Sequence, residues 1–237
     1  MLEIKNLSKS YVPGIKALDN VNVNIANGEI FAFIGHNGAG KTTAIKSIVG
    51  ILSFEEGEIL LDGVNIKNAP IEFKKMTAYI PDNPELYDNL TGIQYLNFIA
   101  NIYKLDVEKR NDDIVKYSRD FEIYEDLGNL ISSYSHGMKQ KLALISAFIR
   151  HPKLLILDEP FVGLDPNATF KMKTLMKEMA DAGSIIFFST HVLEVAEKFC
   201  DHVAIIKKGK IMKIGTMNEV KGDKSLETVF MEMTDSE

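Results

Sequence analysis

The sequence predicts an α/β protein: a mixed sheet with a parallel core, an N-terminal antiparallel β subdomain, and an α-helical subdomain inserted between two strand-rich halves. Three observations predict it. Residues 29–34, 154–157 and 184–189 are near-continuous apolar runs, the mark of strands covered on both faces. The first 25 residues read as two strands folded about Pro13-Gly14. From about residue 82 to 150 the apolar residues instead recur at helical spacing.

The elements follow in order. Residues 2–11 and 16–25 are the paired N-terminal strands, and Asn27-Gly28 turns the chain into the buried strand at 29–34. A glycine-rich loop then opens a helix from Lys41 to about Val49, and two short strands flank Asp62-Gly63. In the insert, Thr91 and Gln94 form a capping box ahead of Ile93, Leu96, Ile99, Ile102 and Tyr103. Ile114, Val115, Ser118 and Phe121 predict a second helix, and Leu142, Ile145, Phe148 and Ile149 a third. Strands at 154–157 and 184–189 alternate with helices at about 167–182 and 192–199, the last strands turn at Lys208-Gly209, and an acidic tail occupies about 216–237. No repeat or low-complexity linker divides the chain, so all 237 residues are expected in one domain.

Composition sets limits. No apolar run approaches the roughly 18 residues of a membrane span, and the N-terminus lacks a signal-peptide layout. The single cysteine, Cys200, excludes an internal disulfide and suits a reducing cytoplasm. A net charge of −6 argues against broad nucleic-acid binding.

Gly35, His36, Asn37, Gly38, Ala39, Gly40, Lys41 and Thr42 fit G-x-x-x-x-G-K-[ST], the Walker A motif, in its required place between a buried strand and a helix. The glycines let successive N–H groups turn toward phosphate oxygens, and the helix start adds its positive dipole end. Lys41 is expected on the β- and γ-phosphates and the Thr42 hydroxyl on Mg²⁺, within a P-loop NTPase core; Thr43 continues the loop. Residues 154–159 read as a Walker B strand ending in two acids, with Asp158 expected to hold Mg²⁺ and Glu159 to act as general base.

Ser135-His136-Gly137-Met138-Lys139-Gln140 stands 23 residues ahead of Asp158, at the start of a helix. This stretch resembles the signature sequence of ABC ATPases, in the wording of exporter-type members. The resemblance runs from Leu2 to about Thr216. It implies that Tyr11 stacks on adenine, that Ser135 and Gly137 bind the γ-phosphate, that Gly163-Leu164-Asp165-Pro166 is a D-loop at a dimer interface, and that His191 is the switch histidine. It also departs from the family at one point: Asp82 stands where glutamine is usual, after the strand ending in Pro81, so its contact with the metal is open. His36 and His136 fall at variable positions and receive no chemistry of their own.

The resemblance implies an ATPase that binds ATP and Mg²⁺, works as a head-to-tail dimer with a second copy or a second ATPase, and docks on an integral membrane permease from the cytoplasmic side. No nucleic-acid partner is expected. Export is favoured, because residues 226–230 also resemble exporter-type members and little chain follows the last strand for an importer's regulatory domain. The alternatives are a soluble ABC protein of nucleic-acid, ribosome or cofactor-assembly work, and a module that binds nucleotide without hydrolysing it. The charge opposes the first, and the presence of Glu159 and His191 opposes the second.

Overall fold

The computed structural model describes residues 1–234. Two sheets form it. The antiparallel sheet has the order β2-β1-β4-β5, built from β1 (Leu2–Val12), β2 (Ile15–Ile25), β4 (Glu56–Leu61) and the short β5 (Val64–Asn65). The central sheet has the order β10-β9-β3-β8-β7-β6. Its strands are β3 (Ile30–Ile34), β6 (Thr77–Ile80), β7 (Leu154–Asp158), β8 (Ile185–Thr190), β9 (His202–Lys207) and β10 (Lys210–Thr216). All neighbours in it are parallel except β10, which returns antiparallel on β9 through Lys208-Gly209.

Alternation along the central strands divides the core in two. Phe31 and Phe33 of β3, Leu154 and Ile156 of β7, and Phe187 of β8 face the antiparallel sheet and α1 (Lys41–Ile48). The intervening Ile30, Ala32, Ile34, Leu155, Leu157, Ile186 and Phe188 face the helices on the other side. Both faces are therefore covered, which is why these strands carry unbroken apolar runs.

The insert consists of α3 (Gly92–Ile102), α4 (Val107–Asp120), two 3₁₀ turns, and α5 (His136–Phe148). Thr91 caps α3 through the reciprocal Thr91/Gln94 box, and a single bridge ties Thr91 to Leu130. Phe148 of α5 is fully buried, stacked on Phe121 at 6.0 Å and tilted against Tyr117 at 5.8 Å. Helices α6 (Pro166–Asp181) and α7 (Leu193–Phe199) pack on the central sheet.

Two features depart from the sequence expectation. A short helix, α2 (Pro70–Met76), precedes β6; its proline suits a first helical position. The tail folds into α8 (Met217–Lys221), with a Thr216/Glu219 capping box, and α9 (Leu226–Thr234), whose Leu226, Val229 and Phe230 are buried. The tail's last three residues, 235–237, lie outside the described residues. Among the described residues no helix is long and apolar enough to cross a membrane.

Truncating Phe148 to alanine should remove both ring contacts and leave a cavity, at a cost of about 3–5 kcal/mol. A chemical-denaturation midpoint equal to that of the parent protein would show that the lobe does not depend on this cluster.

Candidate functional site

Parallel register brings the chemistry to one edge. Asp158 is the register partner of Ser189, and Ile34 of Thr190, so the ends of β3, β8 and β7 lie side by side. The residues that follow them are Gly35, His191 and Glu159. A cavity of about 570 Å³ opens along this edge.

The loop of residues 35–40 crosses from β3 to α1. Gly38 and Gly40 have φ of +79° and +111°, values an L side chain resists, and they turn the loop's backbone around the cavity. A side chain at Gly40 would also meet the Ala17 carbonyl. Gly40 caps α1, whose first N–H groups therefore stand at the loop.

Lys41 is buried, and its ammonium is held inside the loop. Nζ donates to the Gly35 carbonyl at 2.7 Å and to the His36 carbonyl at 3.4 Å, and lies 3.6 Å from Glu159 Oε1. The Thr42 hydroxyl donates to Asp158 Oδ2 at 3.0 Å. Asp158 Oδ1 accepts from the Ser189 hydroxyl, and Ser189 Oγ in turn accepts from the Glu159 N–H at 3.1 Å. Glu159 has φ +49°, an uncommon conformation for a non-glycine residue. His191 pins its carboxylate: Nδ1 lies 2.9 Å from Glu159 Oε2, and the His191 N–H donates to the same oxygen at 3.3 Å.

Most sequence-predicted residues meet here. His36, Asn37, Gly38, Gly40, Lys41, Thr42 and Thr43 line the cavity with Asp158, Glu159 and Asp82. Tyr11 stands at its mouth, largely exposed, with its hydroxyl 3.2 Å from Thr43 Oγ1. Gly35 and Ala39 belong to the loop but lie behind it; a Cβ at Gly35 would strike the Ile206 carbonyl. Asp82 accepts from the N–H of Asn83 at 2.9 Å. Nearby, burial, followed by the charges of Asp158 and Asp82, pushes the Tyr79 phenol far above its ordinary pKa, so it stays neutral.

Ser135 and Gly137 are not brought to this cavity. Ser135 caps α5, accepting from Met138 N–H at 3.2 Å, and Gly137 packs against the Gly163 carbonyl. Asp165 is also engaged within the chain: it caps α6 through Ala168 N–H at 2.8 Å and pairs with Lys141 at 2.9 Å. These contacts, the Ala168 bond foremost, hold its carboxyl below the usual range.

Four further residues, Ser189, Lys208, Gly209 and Phe230, touch the site or its loop without a site motif in the sequence. Ser189 bridges Asp158 and Glu159; a serine ending an apolar strand was its only signal. Lys208 and Gly209 border the cavity, and the Gly209 N–H donates to the Ala39 carbonyl at 2.8 Å. The His36 ring packs on Phe230 of α9, at 4.8 Å between centroids.

The donor set suits a triphosphate with a hard cation. The loop offers N–H groups and one ammonium that suit phosphate oxygens, and Thr42 and Asp158 bring together at its foot two oxygen-bearing side chains able to ligate a cation. Among the described residues no group of three or more His, Cys, Asp or Glu could hold a metal alone. A cation bound here would share its coordination with phosphate and water, as Mg²⁺ commonly does.

The chain is similar to known proteins along most of its length. The family model described as "ABC transporter" matches residues 18–162. The chain is 33% identical over 239 residues to the ABC-type transporter ATP-binding protein EcsA of Bacillus subtilis (strain 168), covering 99% of this chain and 96% of that protein. It is 34% identical to the bacitracin transport ATP-binding protein BcrA of Bacillus licheniformis, covering 90% of this chain and 69% of that one. A solved ATP-binding subunit of an ABC transporter superposes with a TM-score of 0.95 at 34% identity, covering 98% and 99% of the two chains. The ATP-binding cassette MJ0796, solved with ADP and phosphate, shares the fold at a TM-score of 0.82 and 23% identity, covering 92% and 99%.

Replacing Ser189 by alanine leaves Asp158 Oδ1 and the Glu159 N–H without this partner. The expected loss is about 1–3 kcal/mol of stability. An unchanged denaturation midpoint in Ser189→Ala would show that the bridge contributes nothing.

Proposed function

The chain belongs to the ABC transporter family of ATP-binding proteins, and from that premise we propose that it powers export through a separate membrane-spanning subunit. It is an ATPase. The observation that carries the reading of its site is the convergence of Lys41, Thr42, Asp158, Glu159 and His191 at one edge of the central sheet.

In this reading Tyr11 stacks on the adenine and residues 35–43 wrap the phosphates. Lys41 exchanges its carbonyl and Glu159 contacts for β- and γ-phosphate oxygens. Thr42 and Asp158 hold Mg²⁺, which neutralises phosphate charge when bound. Asp82 is a further candidate ligand, because it faces the same cavity. Glu159, held by His191, takes the proton of a water as its oxygen bonds to the γ-phosphorus and the bond to the ADP oxygen breaks.

Ser135 and Gly137 lie outside this cavity, so one chain supplies half of each site. A second copy, or a second ATPase, completes it head to tail. The Ser135 hydroxyl, already accepting from Met138 N–H, retains its own hydrogen for a phosphate oxygen of the partner's nucleotide. ATP then drives closure because it binds the closed pair more tightly than the open one. The protein works in the cytoplasm, peripheral to the membrane through its permease. Transport is supported by the relative named for bacitracin transport, and export by the resemblance of residues 226–230 to exporter-type members.

Glu159→Gln should keep ATP binding and slow turnover by about 10²–10⁴-fold; phosphate release at the parent rate would remove Glu159 from the role. Lys41→Ala should lose ATP affinity, and full-affinity binding would overturn the phosphate-loop assignment. For transport, tagged Glu159→Gln protein extracted in mild detergent with ATP and Mg²⁺ should retain a polytopic membrane protein at near-equal amount. Recovery of soluble partners alone, or of ribosomes or nucleic acid, would refute the transport reading and leave the ATPase intact.

A further inference from the structure

The last helix touches the phosphate loop. Phe230 of α9 is 6% exposed, and its ring lies 4.8 Å from that of His36 at an interplanar angle of 58°. His36 is not peripheral to the loop's construction. Its carbonyl accepts from the Ala39 N–H at 3.1 Å and from Lys41 Nζ at 3.4 Å. A ring that fixes His36 therefore bears on the atom that helps hold the phosphate-binding lysine.

Helix α9 is itself anchored at both ends. Glu197 of α7 accepts from the Leu226 N–H at 3.0 Å while its other oxygen pairs with Lys221 at 2.9 Å. At the far end Lys207 of β9 donates to the Met233 carbonyl at 3.4 Å. Leu226 and Val229 are buried in the core between these ties. The turn joining β9 to β10 braces the loop from the same side, through Gly209 N–H to the Ala39 carbonyl. A Cβ at Gly209 would lie 2.5 Å from the Ala17 carbonyl, so the turn is closely seated.

We infer that α9 is part of the nucleotide site, with Phe230 a positioning residue that presets the phosphate loop through the ring of His36. The inference rests on the phosphate-loop reading above. A loop held in its binding conformation binds ATP without first being ordered; released from Phe230, only a fraction of molecules is competent and the apparent affinity falls by that fraction. Saturating ATP restores the ordered loop, so the effect falls on affinity and not on the chemical step. Linkage runs both ways: ATP in the loop tightens the docking of α9, and any ligand that lifts α9 weakens ATP binding.

The test measures steady-state hydrolysis and ATP affinity in the full chain, for Phe230→Ala, Phe230→Leu, Phe230→Tyr, His36→Ala and the Phe230→Ala/His36→Ala double variant. Lys41→Ala serves as the reference for loss of the site. Expected are a rise in KM and Kd for ATP of about fivefold or more in Phe230→Ala and Phe230→Leu, the lower end of ordinary coupling between sites, with kcat within about twofold. Leucine preserves apolar packing without the ring, and tyrosine restores the ring and should return affinity to near the parent value. The double variant should be no weaker than His36→Ala. Parent-like affinity in the Leu variant, or additive losses in the double variant, with Lys41→Ala still defective, would overturn the inference and leave the phosphate-loop reading standing. Unimpaired ATP binding by Lys41→Ala would instead bring down that reading and the inference with it.

Discussion

The parallel register of β3, β8 and β7 is the constraint on which the rest of the structure depends. Register pairs Asp158 with Ser189 and Ile34 with Thr190, so three chain exits open at one edge. A one-residue slip would turn every inward side chain to the opposite face. Here each face is a core: Phe31, Phe33 and Phe187 belong to one cluster, Ile30, Ala32, Ile34 and Phe188 to the other. Packing on both sides thus fixes the register, and register in turn fixes the distance between the loop lysine and the two acids.

With those exits fixed, polar contacts within the chain hold the site's side chains. Lys41 is a buried cation, a state that demands partners, and it finds two carbonyls and Glu159. Glu159 sits at positive φ and is restrained from both sides, its N–H by Ser189 and its carboxylate by His191. Under the proposed function, a phosphate entering the loop would offer Lys41 oxygen partners of greater charge and release one Glu159 oxygen, so that binding and the freeing of the proposed base would be parts of one rearrangement.

Local chemistry was legible in the sequence, and distant contact was not. The glycine loop, the acidic end of β7 and the Thr91/Gln94 box are contiguous signals, each with its own physical cause, and they lie where the sequence places them. The tail's two helices are marked in the sequence only by the Thr216/Glu219 capping box and by the helical spacing of Leu226, Val229 and Phe230. Its acidity obscured a buried face. The Ser189 bridge joins two strands 31 residues apart, and the His36–Phe230 pair joins opposite ends of the chain. No pattern within a short window encodes such pairs; only the strand order, with β9 beside β3, brings them together.

The strand edge also reaches the helical lobe by a short run of contacts. Pro160, directly after Glu159, accepts from the buried Gln140 Nε2 at 3.1 Å, and Gln140 belongs to the first turns of α5. Lys141 pairs with Asp165, and Gly137 packs on Gly163, so the start of α5 is tied at three points to the segment that follows the two acids. The fit is close: a Cβ at Gly163, where φ is +82°, would come within 3.2 Å of Gln140 Oε1 and of the His136 ring. The helix N-terminus that bears Ser135 thus rides on the loop leaving Glu159. A shift of that loop cannot leave Ser135 in place unless these ties break, which gives the signature end of the lobe a physical connection to the acid at the strand's end.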